Sequence, residues 1–205
     1  IKFFGGHSST EMENELIRLV ELYSYADEYG SILKVEDFKF ESMEEYVSKL
    51  RISDQMNFDT VGIEITQERM YKLIKLAKVM SQKYDVVITN PPYLGSPRMG
   101  EKLLDYIKMH YSEGKADFSS VMYLAVIQNY LKKNGFVAFI TTNSWMYLKS
   151  FAKERSYVFN RTTFDTIVDY GTELFEGKIG HLPVVAWVSR NTNLEMKFVA
   201  IRLIN

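Results

Sequence analysis

The sequence predicts an α/β domain preceded by a helical segment, and three observations carry that prediction. Two largely apolar runs, 84–90 and 136–141, are continuous rather than alternating, as strands buried on both faces are. Between them lies a helical pattern with Val121, Leu124, Ala125, Ile127, Gln128 and Leu131 turned inward. Strand, helix and strand in that order make the right-handed βαβ unit of a mostly parallel sheet. The expected division is 1–82, helical with one short strand; 83–190, the α/β core; and 191–205, a terminal strand opening a further region.

In chain order, Phe4-Gly5-Gly6 is a turn, and Ser8, Ser9 or Thr10 caps a helix that buries Leu16, Leu19, Val20, Tyr23 and Ala26. Gly30 stops it, and 31–35 reads as the short strand. Ser42 caps a second helix. After a break at 57–62, Thr66 caps a third, with Met70, Leu73, Ile74, Ala77 and Met80 on one face. Beyond the first core strand, a flexible loop at 95–100 precedes a helix over 101–111. Gly114 breaks that helix, and Asp117 or Ser119 opens the next. Asn134-Gly135 reads as its C-cap. Asn143-Ser144 caps a helix through Arg155 or beyond. Strands follow at 164–168, 183–188 and 197–204. The loop 170–181 is too short for a long crossover helix, so 183–188 is expected to run antiparallel to its neighbour.

At 205 residues the chain can bury one good core. It has no cysteine, which excludes disulfides and thiolate metal sites and fits a cytoplasmic location. His7, His110 and His181 show no ligand spacing, so no metal is expected. No stretch approaches a membrane span or a signal peptide. The chain opens on Ile1 rather than Met and is read as a piece of a longer protein. Net charge is −1, yet residues 98–161 hold ten Lys/Arg against five Asp/Glu, an excess that a phosphate backbone would favour.

That basic third follows the most informative stretch, Asp85-Val86-Val87-Ile88-Thr89-Asn90-Pro91-Pro92-Tyr93. Two prolines cannot donate to a ladder, so the strand stops there in an extended turn. A carboxamide is thereby set at the carboxyl edge, where open α/β sheets bind ligands. Asn90 and a proline carbonyl can accept both hydrogens of a planar amine, and Tyr93 can stack on its ring.

Asn90-Pro91-Pro92-Tyr93 after a hydrophobic strand resembles the catalytic motif of the S-adenosylmethionine-dependent adenine-N6 DNA methyltransferases. The helix ending in Lys132-Lys133-Asn134-Gly135 and the strand 136–141 are similar to that family's following motifs. Leu174-Phe175-Glu176-Gly177-Lys178, leading into Val184–Val188, is similar to its eighth. The run Asn143–Phe151 resembles, more narrowly, the large methyltransferases of BREX-type phage defence and the fused type IIG restriction–modification enzymes.

The resemblance implies a partial Rossmann-like methyltransferase fold with S-adenosylmethionine as cofactor. Double-stranded DNA would be the partner of the longer protein, and a flipped adenine the substrate. It implies Asn90, Pro91, Pro92 and Tyr93 as catalytic, Tyr93 as a stacking face, and Asp37-Phe38 as a cofactor contact. Two roles stay open for Phe175: packing on the core, or stacking on the far face of the base. Trp145 and Phe118 are read as core rings. The family's glycine-rich first motif is absent, so the chain alone is expected to bind cofactor poorly and not to turn over. Loss of that motif's strand would bare one edge of 84–90, to be covered by self-association or by residues 1–35. Protein-glutamine methylation and a catalytically incomplete binding fragment are the alternatives.

Overall fold

A computed structural model describes residues 11–49, 58–172, 174–175, 182–195 and 197–203. It divides between Gln82 and Lys83 into two compact units.

The first unit holds helices α1 (Glu11–Leu22), α2 (Ala26–Tyr29), α3 (Phe40–Lys49) and α4 (Phe58–Ser81). Its core takes Leu16 and Leu19 from α1, Met43 and Val47 from α3, and Met70, Ile74 and Ala77 from α4. Each set recurs at three- or four-residue spacing, so one stripe per helix is removed from water. Val20, expected on the buried face, is exposed.

Three expectations fail in this unit. Residues 31–35 form no strand: Gly30 ends α2 with φ 52°, a tight turn runs to Ile32, and the chain is irregular to α3. Ile32 and Leu33 are both buried, although adjacent strand residues would face opposite ways. A second correction concerns α3, which starts at Phe40 and so places Ser42 within its first turn rather than at its cap. The third is α4, which continues through 57–62's expected break from Phe58 onward and carries Thr66 inside it. Gly62 there costs only about 1 kcal/mol relative to alanine, too little to interrupt so long a helix.

The second unit carries α5 (Glu101–His110), α6 (Phe118–Ala125) and α7 (Ala152–Phe159) with five strands. These are β1 (Tyr84–Thr89), β2 (Leu131–Thr142), β3 (Thr163–Gly171), β4 (Val184–Arg190) and β5 (Val199–Arg202). The sheet order is β1-β2-β4-β3-β5. β1 is parallel to β2 and β3 to β5, while β4 is antiparallel to both its neighbours. Four strands therefore point one way, and β4 is the antiparallel strand expected near 183–188. β5 pairs along β3, so residues 199–202 belong to this sheet.

Other boundaries also move. α6 stops at Ala125, a π-helical turn covers Val126–Tyr130, and Leu131 already lies in β2. Asn134-Gly135 is consequently no C-cap but a bend within the entry to β2. Asn134 has φ 63°, a conformation asparagine tolerates, and a Cβ on Gly135 would come within 3.0 Å of the Asp85 carbonyl oxygen. The helix expected from 143 through 155 or beyond forms only from Ala152, as α7; before it come two short 3₁₀ turns, Asn143–Met146 and Lys149–Phe151.

Register gives the sheet two unlike faces. Thr89, Phe139, Trp187 and Ile167 pair in one row across β1, β2, β4 and β3. On that face Tyr123 of α6 meets Phe139 and Trp187 edge-on, each 5.2 Å away. The adjacent row, Ile88, Ala138, Val188 and Thr166, faces the other way and lines an open cavity of about 440 Å³. Ile88 is 78% exposed. Among the described residues β1 pairs only with β2, and residues 11–35 contribute no strand to cover its free edge.

The helix-covered face holds a buried polar pair, the Tyr123 hydroxyl and Ser189 Oγ, 2.7 Å apart. Tyr123→Phe should strand the fully buried Ser189 hydroxyl and cost about 1–3 kcal/mol in urea denaturation. Adding Ser189→Ala should return part of that loss, a coupling that a double-mutant cycle reads directly.

Candidate functional site

β1 ends at Thr89, and Asn90 follows it at the carboxyl edge, its side chain exposed and lining the mouth of the open cavity. Pro91 is buried, Pro92 exposed and Tyr93 half-buried. The Tyr93 hydroxyl donates to Asn90 Oδ1 at 2.9 Å. That bond turns the carboxamide oxygen inward to the loop and leaves its second lone pair for another donor. Burial, reinforced by the negative charge of Asp117, raises the Tyr93 pKa above the usual phenol value. The hydroxyl therefore stays a donor at neutral pH.

The chain beyond Tyr93 is held from the side by the segment entering α6. The Phe118 amide donates to the Leu94 carbonyl at 2.8 Å, the Ser96 amide donates to the Ala116 carbonyl at 3.1 Å, and Gly95 bridges to Asp117. Asp117 is the N-cap of α6: its Oδ1 accepts from the Ser119 amide at 2.9 Å and from the Ser119 hydroxyl at 2.7 Å. Ser119 Oγ in turn meets Thr141 Oγ1 of β2 at 2.7 Å, with both residues buried. One residue thus joins three parts: its backbone pairs with the loop after Tyr93, while its carboxylate closes a helix amino end and, through a serine, reaches the next strand. Gly114 permits this approach, since a Cβ there would lie 2.9 Å from Leu124 and 3.0 Å from the α6 backbone.

Beneath the same helix end lies Glu154 of α7, only 2% exposed, with Oε2 lacking a protein partner. Burial pushes its carboxyl up to about 7; the nearby Asp117 charge adds to this, while a hydrogen bond from Ser120 and the Arg155 charge oppose it. Two carboxyls share one helix amino end, and burial of Glu154 favours its neutral form.

The remaining expected residues are scattered. Phe175 is half-buried in a bend beyond β3, whose carboxyl end shares the edge that bears Asn90. Trp145 is a core ring, 4.9 Å from Trp187 and stacked on Phe164 at 6.0 Å. Phe118 is half-buried rather than in the core. Asp37 is exposed, but Phe38 is 9% exposed in the core of the helical unit, with Arg18 over its ring. His7 and His181 lie outside the described residues, and no cluster of metal-ligating side chains occurs among those described. No described helix is long and apolar enough to cross a membrane. Sequence pattern marks Asp117 as a cap; nothing in it marks the Ser119–Thr141 contact or the burial of Glu154, which only the fold creates.

Residues 10–175 match the family described as the Eco57I restriction-modification methylase. Over 182 residues the chain is 27% identical to the adenine-specific methyltransferase BrxX of Escherichia coli O9:H4 (strain HS), covering 87% of this chain and 15% of that protein. Over 152 residues it is 30% identical to the adenine-specific methyltransferase PglX of Lacticaseibacillus casei (strain Zhang), covering 73% of this chain and 12% of that one. The chain thus spans well under a fifth of the length of these relatives. A DrdV–DNA complex solved by electron cryomicroscopy overlays 67% of the chain and 17% of its own at 20% identity, with a TM-score of 0.46, too loose a likeness to argue from.

Two outcomes are expected from this geometry. Asp117→Ala should cost about 0.5–2 kcal/mol through loss of the cap, with Asp117→Asn recovering much of it in chemical denaturation. For Glu154, the folded pKa lies above the unfolded one, so the native state binds the extra proton between about 4.5 and about 7. Stability from this group is whole below that window and is lost as pH rises through it. Glu154→Gln should therefore gain on the wild type by up to about 3 kcal/mol across the window and run parallel to it above pH 7, as denaturation at stepped pH would show.

Proposed function

The chain belongs to the Eco57I restriction-modification methylase family, and from that premise we propose that it carries the amine-gripping part of a DNA adenine-N6 methyltransferase acting in restriction–modification or phage defence. The observation that supports this most is the Asn90–Tyr93 pair at the carboxyl end of β1, oriented by its own hydrogen bond at the rim of a cavity.

An exocyclic adenine nitrogen is a weak nucleophile because its lone pair is delocalised into the ring. Asn90 Oδ1 already accepts from Tyr93 and has capacity for one amine hydrogen; the Pro91 carbonyl is proposed to accept the other. Holding both hydrogens in fixed directions draws the nitrogen toward tetrahedral geometry and localises its lone pair. Positioning and preorganised acceptors then supply the rate. The two prolines that follow Asn90 limit the loop's freedom before substrate arrives. The base must leave its duplex at a cost of a few kcal/mol, and stacking on Tyr93 returns about 1–3 kcal/mol. Phe175, on the same edge, is proposed for the opposite face.

S-adenosylmethionine is the donor proposed from the family; it would supply a methyl group on a sulfonium. The described residues do not fit its adenine as expected, because the Phe38 ring is used by the core and only the Asp37 carboxylate is accessible. The cofactor's contacts are therefore proposed to lie outside the described residues. Double-stranded DNA is the proposed partner, and pairing with a second copy is proposed for the free edge of β1 in the isolated chain.

In the full-length protein, Asn90→Ala should abolish N6-methyladenine in DNA while leaving the unfolding midpoint in place. Tyr93→Phe should retain the ring but free the carboxamide to rotate, lowering kcat modestly; Tyr93→Ala should lower it much further. Mass spectrometry of digested DNA measures all three, and near-normal methylation by Asn90→Ala would dispose of the assignment.

A further inference from the structure

We propose that the turn Asn143–Lys149, on the rim beside Asn90, is a duplex-facing surface that presents Tyr147 and Leu148 to the bases next to the flipped one; this rests on the DNA methyltransferase reading above. Height is the first argument. β1 and β2 run parallel with Thr89 opposite Phe139, but β2 continues to Thr142. Three residues of strand carry the turn about 10 Å beyond the level of the Thr89–Phe139 pair. A base gripped at Asn90 has rotated out of its helix, so residues standing above it meet the duplex it left.

Rigidity is the second. The Asn143 amide donates to the Pro183 carbonyl at 2.9 Å, and the Leu148 amide to the Ser144 carbonyl at 3.0 Å. From below, Arg155 Nη1 donates to the carbonyls of Trp145 and Leu148 at 2.7 and 2.8 Å, while the Trp145 ring is sunk in the core. The Tyr147 hydroxyl donates to Asn143 Oδ1 at 3.0 Å. Despite this anchoring, Tyr147 is 60% exposed and Leu148 45%. A side chain already held still loses little entropy when a base stacks on it.

Charge is the third. Residues 143–161 contain Lys149, Lys153, Arg155 and Arg161 against a single acid, Glu154, and that acid is buried. Lys149 and Lys153 are exposed and make no salt bridge with a described residue. An apolar, aromatic tip flanked by free cations suits bases and phosphates better than a protein surface.

The test is fluorescence anisotropy of the full-length protein on labelled duplex DNA over a range of salt, alongside methylation of cellular DNA. Tyr147→Ala should weaken binding about tenfold, and Tyr147→Phe should keep most of the affinity. Lys149→Ala with Lys153→Ala should reduce the log–log salt slope by about two. All three replace exposed side chains, so unchanged unfolding midpoints confirm that the fold is intact. If the wild type methylates adenine while these variants bind and methylate as it does, the surface is refuted and the reading of the site stands. Weakened binding with an unaltered salt slope in the lysine variant would refute phosphate contact. A wild type that neither binds DNA nor methylates adenine would bring down both.

Discussion

The carboxylate of Asp117 is the contact on which the geometry of the edge depends. It closes the amino end of α6 and, through Ser119 and Thr141, holds that end against β2. The backbone around it then takes hold of the chain just past Tyr93. Prolines give the Asn90 loop a restricted shape, but restriction alone does not place a loop in space. Placement comes from pairing with a neighbour that is itself fixed to the sheet. Burial raises the stakes at this junction: Glu154 is enclosed beside a second carboxyl, and its own carboxyl is pushed up to about 7.

Much of the sheet was legible in the sequence because its strands are apolar runs ended by strong punctuation. Asn90-Pro91-Pro92 closes β1, and the short connection after β3 fixes the direction of β4. What failed has a common physical origin. Gly62, Thr66 and Asn134-Gly135 carry local preferences worth about a kilocalorie or less per residue, and packing overrode each of them. Residues 31–35 have strand-like composition, yet the described part of their unit offers no ladder to join. Helical spacing over 121–131 identified α6 but could not show that the helix loosens into a π turn before entering β2.

The site divides along the same line. Asn90, Tyr93 and the Asp117 cap follow from residue types at short separations, where spacing along the chain fixes spacing in space. Ser119 with Thr141, Ser120 with Glu154, and Arg155 with the turn above it join segments distant in sequence or oriented by the fold. No motif announces them. Phe38 shows the converse: a residue matched by pattern can be claimed by a core, here beneath Arg18.

The antiparallel β4, seated between β2 and β3, has an evolutionary corollary. Because it enters the sheet from the edge where the other strands leave, the segments following β1, β2 and β3 all emerge on one rim, the last of them returning there directly into β4. Lengthening or exchanging the segments that follow β2 and β3 leaves the strand pairing untouched, since loops tolerate insertion where sheets do not. A lineage could thus rewrite what this rim encounters many times over while the Asn90–Tyr93 loop is inherited unchanged.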